Sequence, residues 1–177
     1  MSESRRLALA GAFIRQARSD WFVYRHLAGQ GIPPCHPLHY LQMACEKLAK
    51  AYRLRDTGVI VDEAVRKHAG FEKFIAAFLN CPTMVAEYEG KDAQRAQLLK
   101  SSRHLAREIE KLAPAIDRAA SPENAEYPWE REGDTRIVVP CEYDYPSLSL
   151  LTHSQGRNFL NLLERAFRDF DKVSIAS

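Results

Sequence analysis

The sequence predicts an all-α protein: an antiparallel up-and-down helical bundle of four to five main helices, with one long ordered connection before the last of them. Apolar residues recur every three or four positions through most of the chain, the spacing of a helix with one inward face. Strand-like composition is confined to one stretch, the β-branched run TRIVV at 135–139 and the aromatics around it. At 177 residues the chain suits a single domain, 1–177, large enough to bury a core without metal or disulfide support.

The first helix covers residues 7–27, where Ala10, Phe13, Ile14, Ala17, Trp21, Tyr24 and Leu27 share a face, and AGQGIPP closes it. The second lies in HPLHYLQMACEKLAKAYRLRDTG, residues 36–58, with Leu41, Ala44, Cys45, Leu48 and Tyr52 inward and Gly58 as its stop. Residues 62–80 read as a short helix, a break near Gly70, and a second short helix carrying Phe71, Phe74, Ile75, Phe78 and Leu79, which Pro82 stops. A long helix follows over 92–113, with a narrow seam of Leu98, Ser102, Leu105, Ile109 and Leu112, ending near Pro114. The last helix spans 148–173, with Phe159, Leu160, Leu163, Phe167 and Phe170 inward. Between these two, AEYPWEREGDTRIVVPCEYDYP supplies Tyr127, Trp129, Tyr143, Tyr145 and the turn signal EGD, which predicts an ordered connection with a short β-ribbon.

Lys plus Arg total 25 and Asp plus Glu 23, so the net charge is +2. That excludes a chain coated in nucleic acid over its whole surface and leaves room for a local basic stripe. Cys35, Cys45, Cys81 and Cys141 show no C-x-x-C spacing, and free thiols in a reducing compartment are expected. The N-terminal stretch returns to charge at Arg15, Arg18 and Asp20, too soon for a signal peptide, and no apolar run approaches the ~20 residues of a membrane span. The expectation is a cytoplasmic protein with no membrane contact.

Placed at about 100° per residue, His39, Gln42, Glu46, Lys50 and Arg53 fall on one arc of the second helix beside the apolar arc. Two readings of this stripe stay open: a solvated face with an i,i+4 pair between Glu46 and Lys50, or a surface presented to a ligand or partner.

The residues along this helix also resemble a family pattern. LQMACEKLAKAY, with Gln42, Ala44, Cys45, Glu46, Lys47 and Lys50, resembles the second-helix signature of the HEPN (higher eukaryotes and prokaryotes nucleotide-binding) family. FIRQARSDW, with Ala17, Arg18 and Asp20, is similar to the family's first helix; KHAGFEKFI resembles its His-containing lead-in to the third, at His68. AEYPW resembles the tyrosine-proline element that follows the fourth helix in one branch. The resemblance runs in order from about Phe13 to Phe170. It implies a four- or five-helix bundle, a homodimer, and a nucleotidyltransferase partner of the toxin–antitoxin kind. Many members of the family are metal-independent ribonucleases that use an Arg, four to six intervening residues, and a His. An in-line attack by the ribose 2′-OH needs a general base or acid and a cation at the phosphate, which His and Arg supply.

The chain departs from the pattern at that point. None of His26, His36, His39, His68, His104 and His153 has an arginine at the required upstream distance, and Glu126 stands where the related branch usually carries an arginine. The resemblance therefore implies a non-catalytic or degenerate nucleotide- or RNA-binding module that needs no cofactor, with His39, Gln42, Glu46, Lys47, Lys50 and Arg53 as its ligand or partner residues. A ribonuclease with an unconventional pair is the rival, built on His68 or on His104 with Arg103 or Arg107. A purely structural dimerisation bundle is the third reading.

Other patterns add less. Lys100, Arg103, Arg107 and Lys111 recur at helical spacing and form a basic stripe that suits a phosphate backbone, with Glu108 and Glu110 beside it. Tyr127 and Trp129 suit base stacking or closure of the bundle end. CHPLH offers one cluster of Cys35, His36 and His39 where a structural zinc needs two spaced pairs, so no metal is expected. GQGIPP lacks the third glycine and the Lys-Ser/Thr of a phosphate loop and reads as a turn.

Overall fold

The protein, seen in a computed structural model that describes residues 3–56, 60–66, 68, 70–113, 121–131, 133 and 136–175, is mostly helical. In chain order the elements are α1 (Glu3–Leu27), α2 (Cys35–Arg53), α3 (Val61–Arg66), α4 (Phe71–Asn80), α5 (Pro82–Glu87), α6 (Asp92–Lys111), β1 (Trp129–Glu130), β2 (Ile137–Val138) and α7 (Ser154–Arg168). The two strands pair antiparallel, Trp129 opposite Val138, as the short ribbon the composition predicts. No helix among the described residues is long and apolar enough to cross a membrane.

Side-chain contacts give the helix directions. Arg6 meets Leu54 while Asp20 meets Lys47, so α1 and α2 run antiparallel. Gly70 and Phe71 meet Glu110 while Arg95 meets Leu79, so α4 and α6 do likewise. Arg18 donates to the Phe167 carbonyl and Arg25 pairs with Glu164, which sets α7 antiparallel to α1. One continuous core joins these helices, with Leu41, Leu48, Tyr52, Ile75, Phe78, Leu105, Ile109 and Phe159 fully buried in it. Burying side chains of this size contributes about 1.5–3 kcal/mol each. Arg6, 7 % exposed, donates to the carbonyls of Leu54 and Asp56 and so satisfies the open C-terminal end of α2 with a cation.

Several boundaries differ from the sequence expectation. Pro82 does not merely end a helix: α4 stops at Asn80 and Pro82 opens α5, a position where its missing N–H costs nothing. The last helix begins at Ser154, because residues Pro146–Thr152 form a 3-10 segment first. Gly156 explains the tight join, since a Cβ there would lie 2.3 Å from the Leu151 carbonyl oxygen. The first helix starts at Glu3, a turn earlier than its apolar face. Gly58, Pro114 and part of the EGD turn lie outside the described residues.

The long connection is organised by a residue that periodicity does not reveal. Asn124, 2 % exposed, donates to the carbonyls of Pro122 and Tyr127 and accepts from the N–H groups of Glu126 and Tyr127. The Tyr145 hydroxyl donates to the Asn124 carbonyl at 2.8 Å, and Trp129, Tyr143 and Tyr145 pack edge to face.

Burial sets a pH limit on the fold. Desolvation pushes the Tyr24 hydroxyl up to about 12 and also raises those of Tyr52 and Tyr145. The unfolded chain ionises tyrosine near ~10, so these groups favour the folded state fully below that pH. Their contribution falls as pH rises from about 10 through the folded values. Far-ultraviolet circular dichroism should hold steady up to about pH 10 and decline above it, in step with tyrosinate absorbance. Helix content that persists after all tyrosines have ionised would contradict this.

Candidate functional site

The polar stripe of α2 faces the bundle. Gln42 is 3 % exposed and Lys50 7 %, so they do not belong to a solvated face. Helical periodicity gives each residue's angle but not how much of the circumference the neighbours cover, and α2 packs against α1, α4 and α6 at once. Glu46 is the centre of the arrangement. Its Oε2 accepts from Gln42 Nε2 at 2.9 Å, and its Oε1 accepts from Lys50 Nζ at 2.8 Å. His68 Nδ1 lies 3.0 Å from the same Oε1. A carboxylate held by an ammonium group only accepts, so Nδ1 carries the proton in that contact. Lys50 Nζ also sits 5.8 Å above the Phe13 ring of α1.

This cluster forms one wall of a cleft of about 600 Å³ between α2, the His68 segment and the start of α4. The opposite side is shaped by Gly70, whose φ of 145° bends the chain into α4. There Glu110 of α6 reaches across, and its Oε1 accepts from the N–H groups of Gly70 and Phe71 at 2.5 Å and of Glu72 at 3.3 Å. It satisfies open donors of the helix start and places a negative charge at the positive end of the dipole. Glu72 in turn accepts from Arg103 Nε at 2.5 Å.

Four carboxylates line the cleft, those of Glu46, Asp56, Glu72 and Glu110, and three of them have the partners just named. Glu46 holds Lys50 and His68, Glu72 holds Arg103, and Glu110 holds the α4 backbone. Arg53 and Lys73 also line the cleft, and neither side chain has a hydrogen-bond or carboxylate partner among the described residues. Two side-chain cations without a carboxylate partner on the wall of a formed cleft are groups that attract an anion.

The remaining sequence candidates scatter. His39 Nδ1 pairs with Glu126 Oε1 at 3.2 Å, so the glutamate in the tyrosine-proline element ties the long connection back to α2. Lys47 turns to the α1 side, where Asp20 accepts from its Nζ at 2.5 Å and also from Gln16. On α6, Arg103 and Lys111 are engaged by Glu72 and Glu108, while Lys100 and Arg107 have no carboxylate among the described residues. His104 is exposed and makes no hydrogen bond to Arg103 or Arg107. Cys35, Cys45 and Cys81 are buried thiols, and burial raises the Cys45 thiol well above its ordinary range. Among the described residues no three His, Cys, Asp or Glu side chains gather at metal-ligating distance.

Sequence reasoning missed Lys73, Glu110 and Asp56 as parts of this cleft. Gly70 was the available signal, since a glycine break between two short helices marks a helix start whose donors need an acceptor. Compared with protein-family models, curated proteins and solved structures, the chain matches none.

Proposed function

We propose that this chain is a nucleotide- or RNA-binding module whose phosphate-recognising part is the cleft between α2 and α4. The observation that carries the reading is the pair Arg53 and Lys73, whose side chains have no carboxylate partner among the described residues, in a cleft where Glu46, Glu72 and Glu110 are each engaged elsewhere. Neighbouring His68 adds a polar ring to the lining, and about 600 Å³ suits a mononucleotide or one nucleotide of a strand. The homodimer and the nucleotidyltransferase partner rest on the HEPN resemblance of the α1 and α2 motifs, which the contact between Asp20 and Lys47 brings side by side.

Titration of a fluorescent adenine nucleotide tests this. Arg53→Ala and Lys73→Ala should each weaken binding about tenfold, in line with the loss of one charge-assisted contact of ~1.5 kcal/mol. Affinity should fall as salt rises. Binding unchanged in both variants would remove the cleft from the account.

One observation favours a second reading, a metal-independent ribonuclease. His68, engaged by Glu46 through Nδ1, lines the same cleft as Arg53 and Lys73, which puts a candidate general base beside phosphate-binding cations. Labelled RNA incubated in chelator separates the two readings. Cleavage abolished by His68→Ala supports the ribonuclease, while binding without cleavage supports the module.

A further inference from the structure

We infer that a second groove, between α6 and α7 and floored by the end of α5, binds an uncharged, extended peptide segment of another protein. The groove encloses about 700 Å³, within the range of formed ligand sites, ~300–1,000 Å³. The chain contains six glutamines and four asparagines, and five of these ten side chains line this one groove: Gln94, Gln97, Gln155, Asn158 and Asn161. None of the five makes a side-chain hydrogen bond to another described residue. The charged residues, 27 % of the chain, are nearly excluded: Glu87 and Arg165 are the charged lining residues, and they pair with each other.

A carboxamide offers a donor and an acceptor together, which matches the N–H and C=O of a peptide unit. The amides repeat along both walls. On α7 the lining runs from Gln155 to Arg165, about 15 Å of helix at ~1.5 Å per residue. An extended segment of four or five residues covers that length at ~3.3 Å each. Met84, Leu98 and Leu162 supply an apolar floor for alternate side chains of such a segment. A nucleic-acid strand fits less well, because its phosphates need cations. Arg165, the only lining cation among the described residues, is held by Glu87 and by Asp169.

The side-chain NH2 signals of the ten carboxamides provide a direct readout by nitrogen-15 nuclear magnetic resonance. The probes are a panel of N-acetylated, C-amidated pentapeptides varied over Ala, Ser, Thr and Val, and an oligouridylate of similar length. The neutral peptides should shift the five groove signals saturably and leave those of Gln16, Gln30, Gln42, Asn80 and Asn124 in place. Gln97→Ala and Asn158→Ala, both at exposed positions, should each weaken the best peptide about five- to tenfold, one hydrogen bond's worth of ~1 kcal/mol. The proposal is overturned if no peptide of the panel gives a saturable shift, if oligouridylate shifts the same five signals, or if both variants bind as the parent does.

Discussion

Glu46→Ala is expected to destabilise the protein by about 3 kcal/mol, the lower end of the range for removing one partner of a buried ion pair. The reason is Lys50. Its side chain is 8 % exposed, its ammonium group donates to Glu46 Oε1, and the nearby Phe13 ring is a poor substitute for a carboxylate. With Glu46 gone, a charge remains in a site that water reaches poorly, and Gln42 loses its acceptor as well. Lys50→Met should cost less, because Glu46 keeps Gln42 and His68, and it faces the cleft. Glu46→Gln combined with Lys50→Met should recover much of the loss, since the pair's desolvation largely offsets its attraction. Urea unfolding of the three variants measures this. A Glu46→Ala protein within about 0.5 kcal/mol of the parent would return the stripe to the status of solvated surface.

Tyr52→Ala is expected to lose about 3–5 kcal/mol, the range for deleting a buried aromatic ring. Tyr52 is 1 % exposed and joins helices that are far apart in the chain. Its ring meets Phe74 and Phe78 of α4 and Phe170 beyond α7, with centroids 5.0 to 5.8 Å away. Its hydroxyl donates to the Ala166 carbonyl of α7 at 2.8 Å. Tyr52→Phe keeps the ring and should cost only ~1 kcal/mol for that hydrogen bond. Equal losses in the two variants, by thermal unfolding, would mean that the hydroxyl rather than the ring holds the helices. The position matters for function too, because Tyr52 anchors the α2 segment that carries Arg53 to the cleft.

The fold was legible because its helices are amphipathic. Phe71, Phe74, Ile75, Phe78 and Leu79 all proved to be core, and Gly70 marked the helix start correctly. Misplaced boundaries trace to residues with two uses. Proline both ends and begins helices, and the apolar residues of 146–152 satisfy a 3-10 segment as readily as an α-helix. The site was harder to see. Gln42, Glu46 and Lys50 could be put on one arc, yet whether that arc is wet depends on α1, α4 and α6 covering it. The roles of Glu110, Lys73 and the carboxamides of α6 and α7 are set by tertiary packing, which brings together residues with no common local spacing.

Photolabelling with 8-azido-ATP, followed by peptide mapping, tests the location of nucleotide binding most directly. Label is expected within residues 46–56 or 68–77, competed by ATP and lost in the Arg53→Ala, Lys73→Ala double variant. Label that ATP does not compete, or that maps to α6 around Lys100 and Arg107, would contradict it.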